Sequence, residues 1–458
     1  MSAAPDDCGL YLNMYGPSII DGGRPVSPTL PLPWPGDPPL PGTKTAPQAA
    51  PRSTIFPMQS TTSPSVPADA ARALVALCGW FGTDALPQDA LSADPEAWAV
   101  VDGLARRHGV LPALCRAARV EGSGAIPEAL SAEWKRTRLT ESVRGMMAKR
   151  QLSEIAARFH AAGLPWIPLK GGAALLWVYE RAADRKMCDL DLLVEEHRLD
   201  EAAALMRELG YQRAESCYTS VEAEQLNALS TGHLCPYSRP GALPVEIHWH
   251  VLKDGAQARA SNRDIWRDAV TEQVDGVPVR RLSWPHFLLH TAFHYGRHLE
   301  KNHAALKGLV DLLRVLREHG EQVDWPEFWD TAYRWDVADK VAPVMRTLEH
   351  YWGAEVQGIP SSVAPLPEEV LAAGVISASG PAHYAALFAK AQRLPTLSGR
   401  ARYLFRLMFP QPAHLRYRYG LPEGAAVTAY YPRHLLHLLG RAATRVASVF
   451  GSGHERRR

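Results

Sequence analysis

The chain of 458 residues is long enough to fold as about two or three domains. Its composition, 46% hydrophobic and 21% charged, is ordinary for a soluble protein, and a net charge of +2 provides no chain-wide field that would favour nucleic acid or a membrane surface. No apolar run approaches the length of a membrane span, the N-terminus lacks the pattern of a secretion signal, and the six cysteines lack CxxC spacing, so we expect a cytoplasmic protein with reduced thiols.

Residues 1–66 form a proline-rich segment. Fifteen of the 37 prolines fall within the first 67 residues, and they are densest over 31–41. Because proline continues neither a helix nor a central strand, this composition predicts a disordered tail with local polyproline II conformation. A docking peptide for a partner is the alternative interpretation.

Residues 67–162 are predicted to form an N-terminal helical domain. Apolar residues recur at helical spacing over 71–81, 98–108 and 111–120. The stretch Glu133–Ala162 has the length of one long helix or of two, and Gly163 is suited to end a helix in the left-handed conformation.

Residues 163–284 are predicted to form a small α/β domain. Pro165 and Pro168 predict that its first strand lies at the edge of a sheet or is cut short, because proline cannot donate a hydrogen bond to a neighbouring strand. The predicted strands are 164–169, 188–194, 243–251 and 277–282, and the predicted helices are 173–180 and 198–209.

Residues 285–450 are predicted to form a C-terminal helical domain, and residues 451–458 a basic tail. The predicted helices are 285–299, 303–319, 325–352, 366–376, 381–393, 398–409 and 432–449. The last of them is amphipathic and basic, and we interpret it as docked on the domain, with weak contact to a membrane surface as the alternative.

Asp189 and Asp191 lie in the predicted strand 188–194. Successive side chains of a strand point to opposite faces, so these two carboxylates are predicted to share one face. They repel each other and resist ionising together unless a cation lies between them. Oxygen ligands of this kind suit Mg²⁺, which usually takes one or two carboxylates together with substrate phosphates. The pair therefore predicts a metal-dependent site for phosphate transfer.

Two further motifs flank this pair. Lys170-Gly171-Gly172 follows a strand and opens a helix, where glycines let backbone N–H groups approach a phosphate. On the strand 243–251, alternation places Glu246 and His248 on one face. Glu246 is therefore a candidate third carboxylate, and a solvated edge strand is the alternative interpretation.

These motifs resemble the nucleotidyltransferase superfamily with a polymerase-β type palm, which carries a glycine turn, a helix, an Asp-x-Asp strand and a third carboxylate on a later strand. More closely, the chain is similar to an uncharacterised bacterial nucleotidyltransferase family. The matching segments are Leu169–Gly171, Arg185, Asp189–Val194 and Val245–Trp249. The resemblance implies an α+β fold in which a small mixed-sheet palm is flanked by N- and C-terminal helical regions.

The resemblance also implies a role for each residue. Asp189, Asp191 and Glu246 would be the catalytic carboxylates that hold Mg²⁺, with Mn²⁺ as the alternative ion. Glu246 would complete this site or act as a base on the acceptor hydroxyl. The residues that would bind the phosphates of an NTP are Lys170, Gly171, Gly172 and Arg185.

Three more residues are expected around the site: His248, His294 and Asp311. For Asp311 the alternative is structural pairing with Lys307 or with an arginine of the palm, because a buried carboxylate needs a partner.

Four histidines recur at i, i+4 steps and fall on one face of a helix. They are His286, His290, His294 and His298. The central pair could bind zinc with Glu246 or His248 as a third ligand, and a zinc hydrolase is therefore one alternative function. Against it, the zincin pattern needs glutamate directly after the first histidine, and Thr291 stands there.

We therefore expect a magnesium-dependent nucleotidyltransferase that moves a nucleotidyl group from an NTP to a hydroxyl or phosphate acceptor and releases pyrophosphate. A catalytically silent palm used for binding or regulation is the other alternative, because Gly172 stands where many active relatives have serine. The acceptor stays open among a small molecule, a peptide and an RNA end. The proline-rich tail is a candidate docking segment for a partner.

Overall fold

The computed structural model describes residues 68–79, 95–120, 128–213, 232–252, 262–299, 305–373, 397–419, 421 and 425–436, all within one compact unit. Four predictions lie outside the described residues: the tail 1–66, the helix 381–393, the end of the helix 432–449 and the basic tail 451–458. The division of residues 67–450 into three domains stays a prediction.

Helices make up most of the described chain. They are α1 (Ala68–Gly79), α2 (Pro95–Arg107), α3 (Leu111–Val120), α4 (Glu128–Ala161), α5 (Lys170–Trp177), α6 (Leu199–Glu208), α7 (Asn262–Arg267), α8 (Trp284–Leu299), α9 (Lys307–His319), α10 (Trp325–Arg334), α11 (Ala338–Trp352), α12 (Glu368–Ala373), α13 (Leu397–Met408) and α14 (Pro412–Tyr419). Residues 430–436 are helical as well. The sequence pattern does not predict α7 and α14. None of the helices in these described ranges is long and apolar enough to cross a membrane.

The long stretch before the palm is a single helix, α4, which settles the choice between one helix and two. It ends as predicted at Gly163, which has a φ of 65°. The next residue, Leu164, donates its N–H to the carbonyl oxygen of Phe159 at 2.9 Å. This six-to-one hydrogen bond after a left-handed glycine is the Schellman motif, and it turns the chain directly into the first strand.

The prediction of one helix over 325–352 is wrong, because α10 and α11 are separate. Between them, Asp336 has a φ of 56°, and Val337 donates its N–H to the carbonyl oxygen of Ala332 at 2.9 Å. The short polar side chain of aspartate tolerates this left-handed conformation better than a bulky residue does. Periodicity alone does not reveal the break, because the apolar pattern continues across it.

A mixed five-stranded sheet forms the centre of the palm, in the order β1-β2-β5-β4-β3. Its strands are β1 (Trp166–Leu169), β2 (Leu190–Val194), β3 (Gln212–Arg213), β4 (Tyr237–Ser238) and β5 (Val245–His248), and a separate hairpin consists of β6 (Val270–Val274) and β7 (Val277–Arg281). Among the described strands of this sheet, β2 and β5 are the parallel neighbours, and the other pairs are antiparallel. The α+β fold class is confirmed, and so is the edge position of β1 that its prolines predict.

The register of the sheet brings the predicted acidic residues together. Asp191 lies opposite Leu169 on one side and opposite Glu246 on the other, while Leu193 lies opposite His248. Glu246 therefore stands beside Asp191 on the same face, as the alternation of β5 predicts.

Asp189 departs from the prediction, because β2 begins at Leu190 and not at residue 188. The reason lies in β1, whose last residue, Leu169, pairs with Asp191 before the chain turns into α5. No residue of β1 is left to pair with Asp189. The two aspartates are consequently not alternate residues of one strand, and Asp189 lies at the entrance of β2.

The two faces of the sheet pack into two hydrophobic cores. Leu192 and Ile247 point to the core that contains residues of α4 and α6. Leu169 and Leu193 point to a larger core that also contains residues of α1, α8, α9 and α11. Because Asp191 shares a face with Leu193, the acidic residues lie on the side of this larger core, where an uncompensated charge would be costly.

His108 links three segments within that helical part of the fold. Its buried ring donates from Nε2 to the carbonyl oxygen of Ala372 at 2.7 Å and accepts the N–H of Leu306 at Nδ1, at 3.3 Å. Both ring nitrogens of the neutral imidazole are therefore hydrogen-bonded. The pKa of His108 is lowered from 6.5 to about 4, chiefly because the ring is buried.

A histidine whose pKa is lower in the folded state contributes stability that is complete above its unfolded pKa and is lost as the pH falls toward the folded value. We expect the free energy of unfolding to fall by about 2 kcal/mol more in the wild type than in His108→Gln between about pH 7.5 and about pH 5. Urea denaturation at both pH values measures this difference. His350→Gln, at an exposed position of α11, is the matched control and should keep the wild-type pH dependence. Equal pH dependence of the wild type and His108→Gln would contradict this account.

Candidate active site

Three buried side chains meet on the inner face of β2 and β5. They are Asp191, Glu246 and His248. One ligand atom from each lies within 4.8 Å of the other two. Among the described histidine, cysteine and acidic side chains, these three have ligand atoms close enough together to hold one metal ion. Its members come from adjacent parallel strands, so the geometry of the cluster is fixed by backbone hydrogen bonds.

The carboxylate of Asp191 accepts two hydrogen bonds on one oxygen. Lys170 Nζ lies 2.6 Å from Oδ1, and His248 Nε2 lies 2.8 Å from the same atom. Burial alone would raise the pKa of Asp191, but the charges and hydrogen bonds of Lys170 and His248 hold it well below its usual range. Asp191 is therefore a buried, ionised carboxylate with two compensating partners.

Glu246 is ionised for a similar reason. His233 Nε2 lies 3.7 Å and His248 Nε2 lies 3.5 Å from its Oε2. Burial opposes ionisation of this carboxyl, yet His233 and the hydrogen bond from His248 lower its pKa. The two carboxylates thus stay charged side by side because cations and donors surround them.

Asp189 lies at the entrance of β2 and is only partly buried. Burial, followed by the negative charges of Asp191 and Glu246, raises the pKa of Asp189 to about 7. Among the three neighbouring carboxyl groups, of Asp189, Asp191 and Glu246, that of Asp189 is therefore the one whose ionisation the like charges oppose most. Asp189 lies within electrostatic reach of the cluster, although it is not part of the three-residue group.

His233 belongs to the site, and sequence analysis misses it. An isolated bridge pairs His233 with His248, and their ring centroids lie 4.8 Å apart. The segment around His233 has no strand periodicity that would align it with β5, because a single bridge leaves no repeating pattern.

The turn between β1 and α5 has an unexpected backbone conformation. The positive φ falls on Lys170, at 46°, and neither Gly171 nor Gly172 has a positive φ. Gly171 is needed for space: a Cβ at this position would lie 2.4 Å from Arg185 Nη1. A Cβ on Gly172 would lie 3.6 Å from its nearest neighbour, the Cβ of Pro168, which is an ordinary contact.

Arg185 is buried in an ion pair with Asp311. Arg185 Nε lies 2.9 Å from Oδ1 and Nη2 lies 2.7 Å from Oδ2, and the hydroxyl of Tyr179 donates to Oδ1 at 2.9 Å. Arg185 Nη1 donates to the carbonyl oxygen of Lys186 at 3.3 Å and contacts the sulfur of Met187. Pairing of Asp311 with a palm arginine is confirmed. All three guanidinium nitrogens are engaged, so the structure places Arg185 behind the turn and not on the acidic cluster.

The histidine stripe on α8 divides into different environments. His286 accepts or donates a hydrogen bond with Ser283 Oγ at 3.1 Å, and its ring stacks on Trp335 at 5.5 Å between centroids. His294 and His298 are half-buried, with ring centroids 4.1 Å apart. The stripe is therefore not one ligand set, and none of its members joins the metal-spaced group in the described part of the chain.

His290 is the member of the stripe whose electrostatic neighbours are Lys170, His248 and Asp191. Its Nδ1 donates to the carbonyl oxygen of Val251 at 2.7 Å, and its buried Nε2 has no hydrogen-bond partner within the described ranges. Burial and the charge of Lys170 lower the pKa of His290 to about 3, so the ring is neutral. A position of His294 at the site stays a prediction.

Comparison with known proteins identifies a family for this chain. Residues 94–353 match the model of a family described as uncharacterised nucleotidyltransferase (NTP_transf_5). No curated protein matches the chain.

Two solved structures are similar over about half of the chain. One is the antibiotic-resistance factor ANT(2'')-Ia, 18% identical, covering 47% of this chain and 100% of that chain with a TM-score of 0.29. The other is an antigenic nucleotidyltransferase-like protein from Paracoccidioides brasiliensis, 13% identical, covering 46% of this chain and 94% of that chain with a TM-score of 0.28. TM-scores of this size are too low to show a shared fold.

The packing of the turn predicts that alanine substitution destabilises the protein at Gly171 but has little effect at Gly172. Gly171→Ala forces Arg185 away from Asp311 or shifts the turn, so we expect the free energy of unfolding to fall by about 2 kcal/mol or more. Gly172→Ala meets only an ordinary contact inside a helix, so we expect a change within about 1 kcal/mol. Urea denaturation of both variants measures the contrast. Similar losses for the two substitutions would show that Arg185 does not set the space around the turn.

Proposed function

Because the chain belongs to the uncharacterised nucleotidyltransferase family, we propose that it transfers a nucleotidyl group from an NTP to a hydroxyl or phosphate acceptor, with release of pyrophosphate. The observation that carries this proposal is the pairing of Asp191 with Glu246 across the parallel strands β2 and β5. It supplies two ionised carboxylates, fixed side by side, of the kind that a metal-dependent phosphate-transfer site requires.

The donor chemistry of the cluster fits a divalent cation. Asp191 and Glu246 offer carboxylate oxygens, His248 offers an imidazole nitrogen, and the carboxyl of Asp189 lies within electrostatic reach of both carboxylates. Oxygen ligands suit Mg²⁺ and Mn²⁺, and an imidazole is more usual on Mn²⁺ than on Mg²⁺. When bound, such a cation would neutralise the charge that develops on the phosphoryl oxygens.

The N-terminus of α5 is the part of the site that we assign to the triphosphate. The helix begins at Lys170, and no side chain caps its first turn in the described structure. Its first N–H groups, on Lys170, Gly171 and Gly172, are therefore suited to bind an anion, and the ammonium of Lys170 adds a full positive charge. Arg185 supports this turn from behind and is a positioning residue in this proposal.

The acceptor is a small molecule, a peptide or an RNA end in this proposal. We place the reaction in the cytoplasm, where NTPs are available and cysteines stay reduced.

The acidic pair provides the test of this function. Transfer of label from the α-phosphate of each of the four NTPs into RNA, protein and small molecules of a lysate measures the activity. We expect Asp191→Asn and Glu246→Gln each to lower the incorporated label by about 100-fold or more, because each removes one charge from the site. Asp330→Asn, on the exposed surface of α10, is the matched control and should retain wild-type activity.

Unchanged label in Asp191→Asn and Glu246→Gln would exclude the proposed site. A wild type that binds NTP in calorimetry but transfers no label to any acceptor would instead favour the catalytically silent palm. A wild type that transfers label only when the acidic pair is intact supports the transferase.

A further inference from the structure

Lys170 occupies a carboxylate of the proposed metal site. Its ammonium lies 2.6 Å from Asp191 Oδ1, and the lysine side chain is 17% exposed while that of Asp191 is 2% exposed. The contact is therefore a short ion pair withdrawn from water, where charges act on each other strongly. A divalent cation on the same carboxylate and this ammonium repel each other and compete for one oxygen.

The backbone holds Lys170 in a conformation that lysine rarely adopts. Its φ of 46° lies in the left-handed region. The other described non-glycine residues there are Asp275 and Asp336, of a type that tolerates this region. A residue with a long side chain in this conformation costs about 1 kcal/mol or more, and such strain clusters at functional sites. Glycine stands at the next two positions but not at this one, so the side chain of Lys170 has a use that outweighs the strain.

The charge around the ammonium explains why it stays on the acidic cluster. Asp191, Glu246 and Asp189 all favour its charged form, and together their negative charges raise the pKa of Lys170 despite burial. Burial is the largest single influence and acts in the opposite direction. Lys170 thus supplies the positive charge that these carboxylates require.

The ammonium of Lys170 is also able to move away from Asp191. Its ammonium is a point charge on a flexible stem, with no fixed geometry of donors. Arg185, the neighbouring cation, lacks this freedom because Asp311 holds the guanidinium, and Tyr179 in turn donates a hydrogen bond to Asp311. Lys170 opens α5, where the proposed triphosphate site begins, so phosphate oxygens would lie near the same lysine.

We propose that Lys170 makes cation binding depend on the triphosphate. The ammonium lies on Asp191 Oδ1 until a polyphosphate at the start of α5 attracts it. Its departure removes the positive charge that opposes a divalent cation and leaves His248 as the hydrogen-bond partner of that oxygen in the described structure. This inference rests on the proposed function. By linkage, the cation and the triphosphate then tighten each other's binding by the same factor, typically about 5- to 150-fold.

Calorimetric titration with Mn²⁺ tests the competition without any need for turnover. Lys170→Met keeps the apolar stem and removes the charge, so we expect it to bind Mn²⁺ about 10-fold more tightly than the wild type when no nucleotide is present. A non-hydrolysable NTP analogue should tighten Mn²⁺ binding by about 10-fold in the wild type and by less than about 2-fold in Lys170→Met.

Lys340→Met is the matched control, because Lys340 also carries a partly buried ammonium paired with an aspartate, Asp339. It should keep both the Mn²⁺ affinity and the coupling of the wild type. Lys170→Gly removes the charge and the backbone strain together, and it replaces Lys170→Met if the methionine variant does not fold. Circular dichroism and thermal unfolding confirm the fold of each variant.

Mn²⁺ binding that is equal or weaker in Lys170→Met, or a wild type in which Mn²⁺ and the analogue bind independently, would overturn the inference. In those cases the proposed function survives if Asp191→Asn still abolishes Mn²⁺ binding. Absence of Mn²⁺ and analogue binding in the wild type would overturn both the inference and the proposed function.

Discussion

Carboxylates gathered on a buried sheet face must be compensated, and this constraint governs the structure around them. Asp191 and Glu246 lie side by side because β2 and β5 are parallel neighbours, and their face continues into a hydrophobic core. Their charges survive there because the Lys170 ammonium and the His248 ring donate hydrogen bonds to Asp191, and the His233 ring lies 3.7 Å from Glu246. The strained backbone of Lys170 and the bridge of His233 to β5 follow from the same requirement.

A second buried charge pair holds the frame of the site. Arg185 and Asp311 connect the loop before β2 to α9, and Tyr179 after α5 adds a hydrogen bond. A buried pair of this kind contributes little net stability, but removal of one partner leaves an unpaired charge. The absence of a side chain on Gly171 allows the guanidinium to lie directly against the turn. The turn, the loop before β2 and α9 are therefore fixed relative to one another by one interaction.

Much of the fold around the site could be predicted from local rules. Proline at two positions predicts the edge strand β1, glycine predicts the end of α4, and alternation predicts that Glu246 and His248 share a face. The position of Glu246 beside Asp191 is confirmed, while the roles of these residues stay predictions. Other features could not be predicted, because β3 and β4 have two residues each and a single bridge aligns His233. Such short elements carry no periodicity.

The sequence by itself determined the chemical inventory: two aspartates at an i, i+2 spacing, a glutamate on an alternating strand, a Lys-Gly-Gly turn and a histidine stripe. Only the tertiary structure decided how these charges are paired. It placed Asp189 outside the strand, gave Arg185 to Asp311 and brought Lys170 onto Asp191. Pairing depends on strand register and helix packing between residues far apart in the chain, and a local pattern encodes which residues are available but not which of them meet.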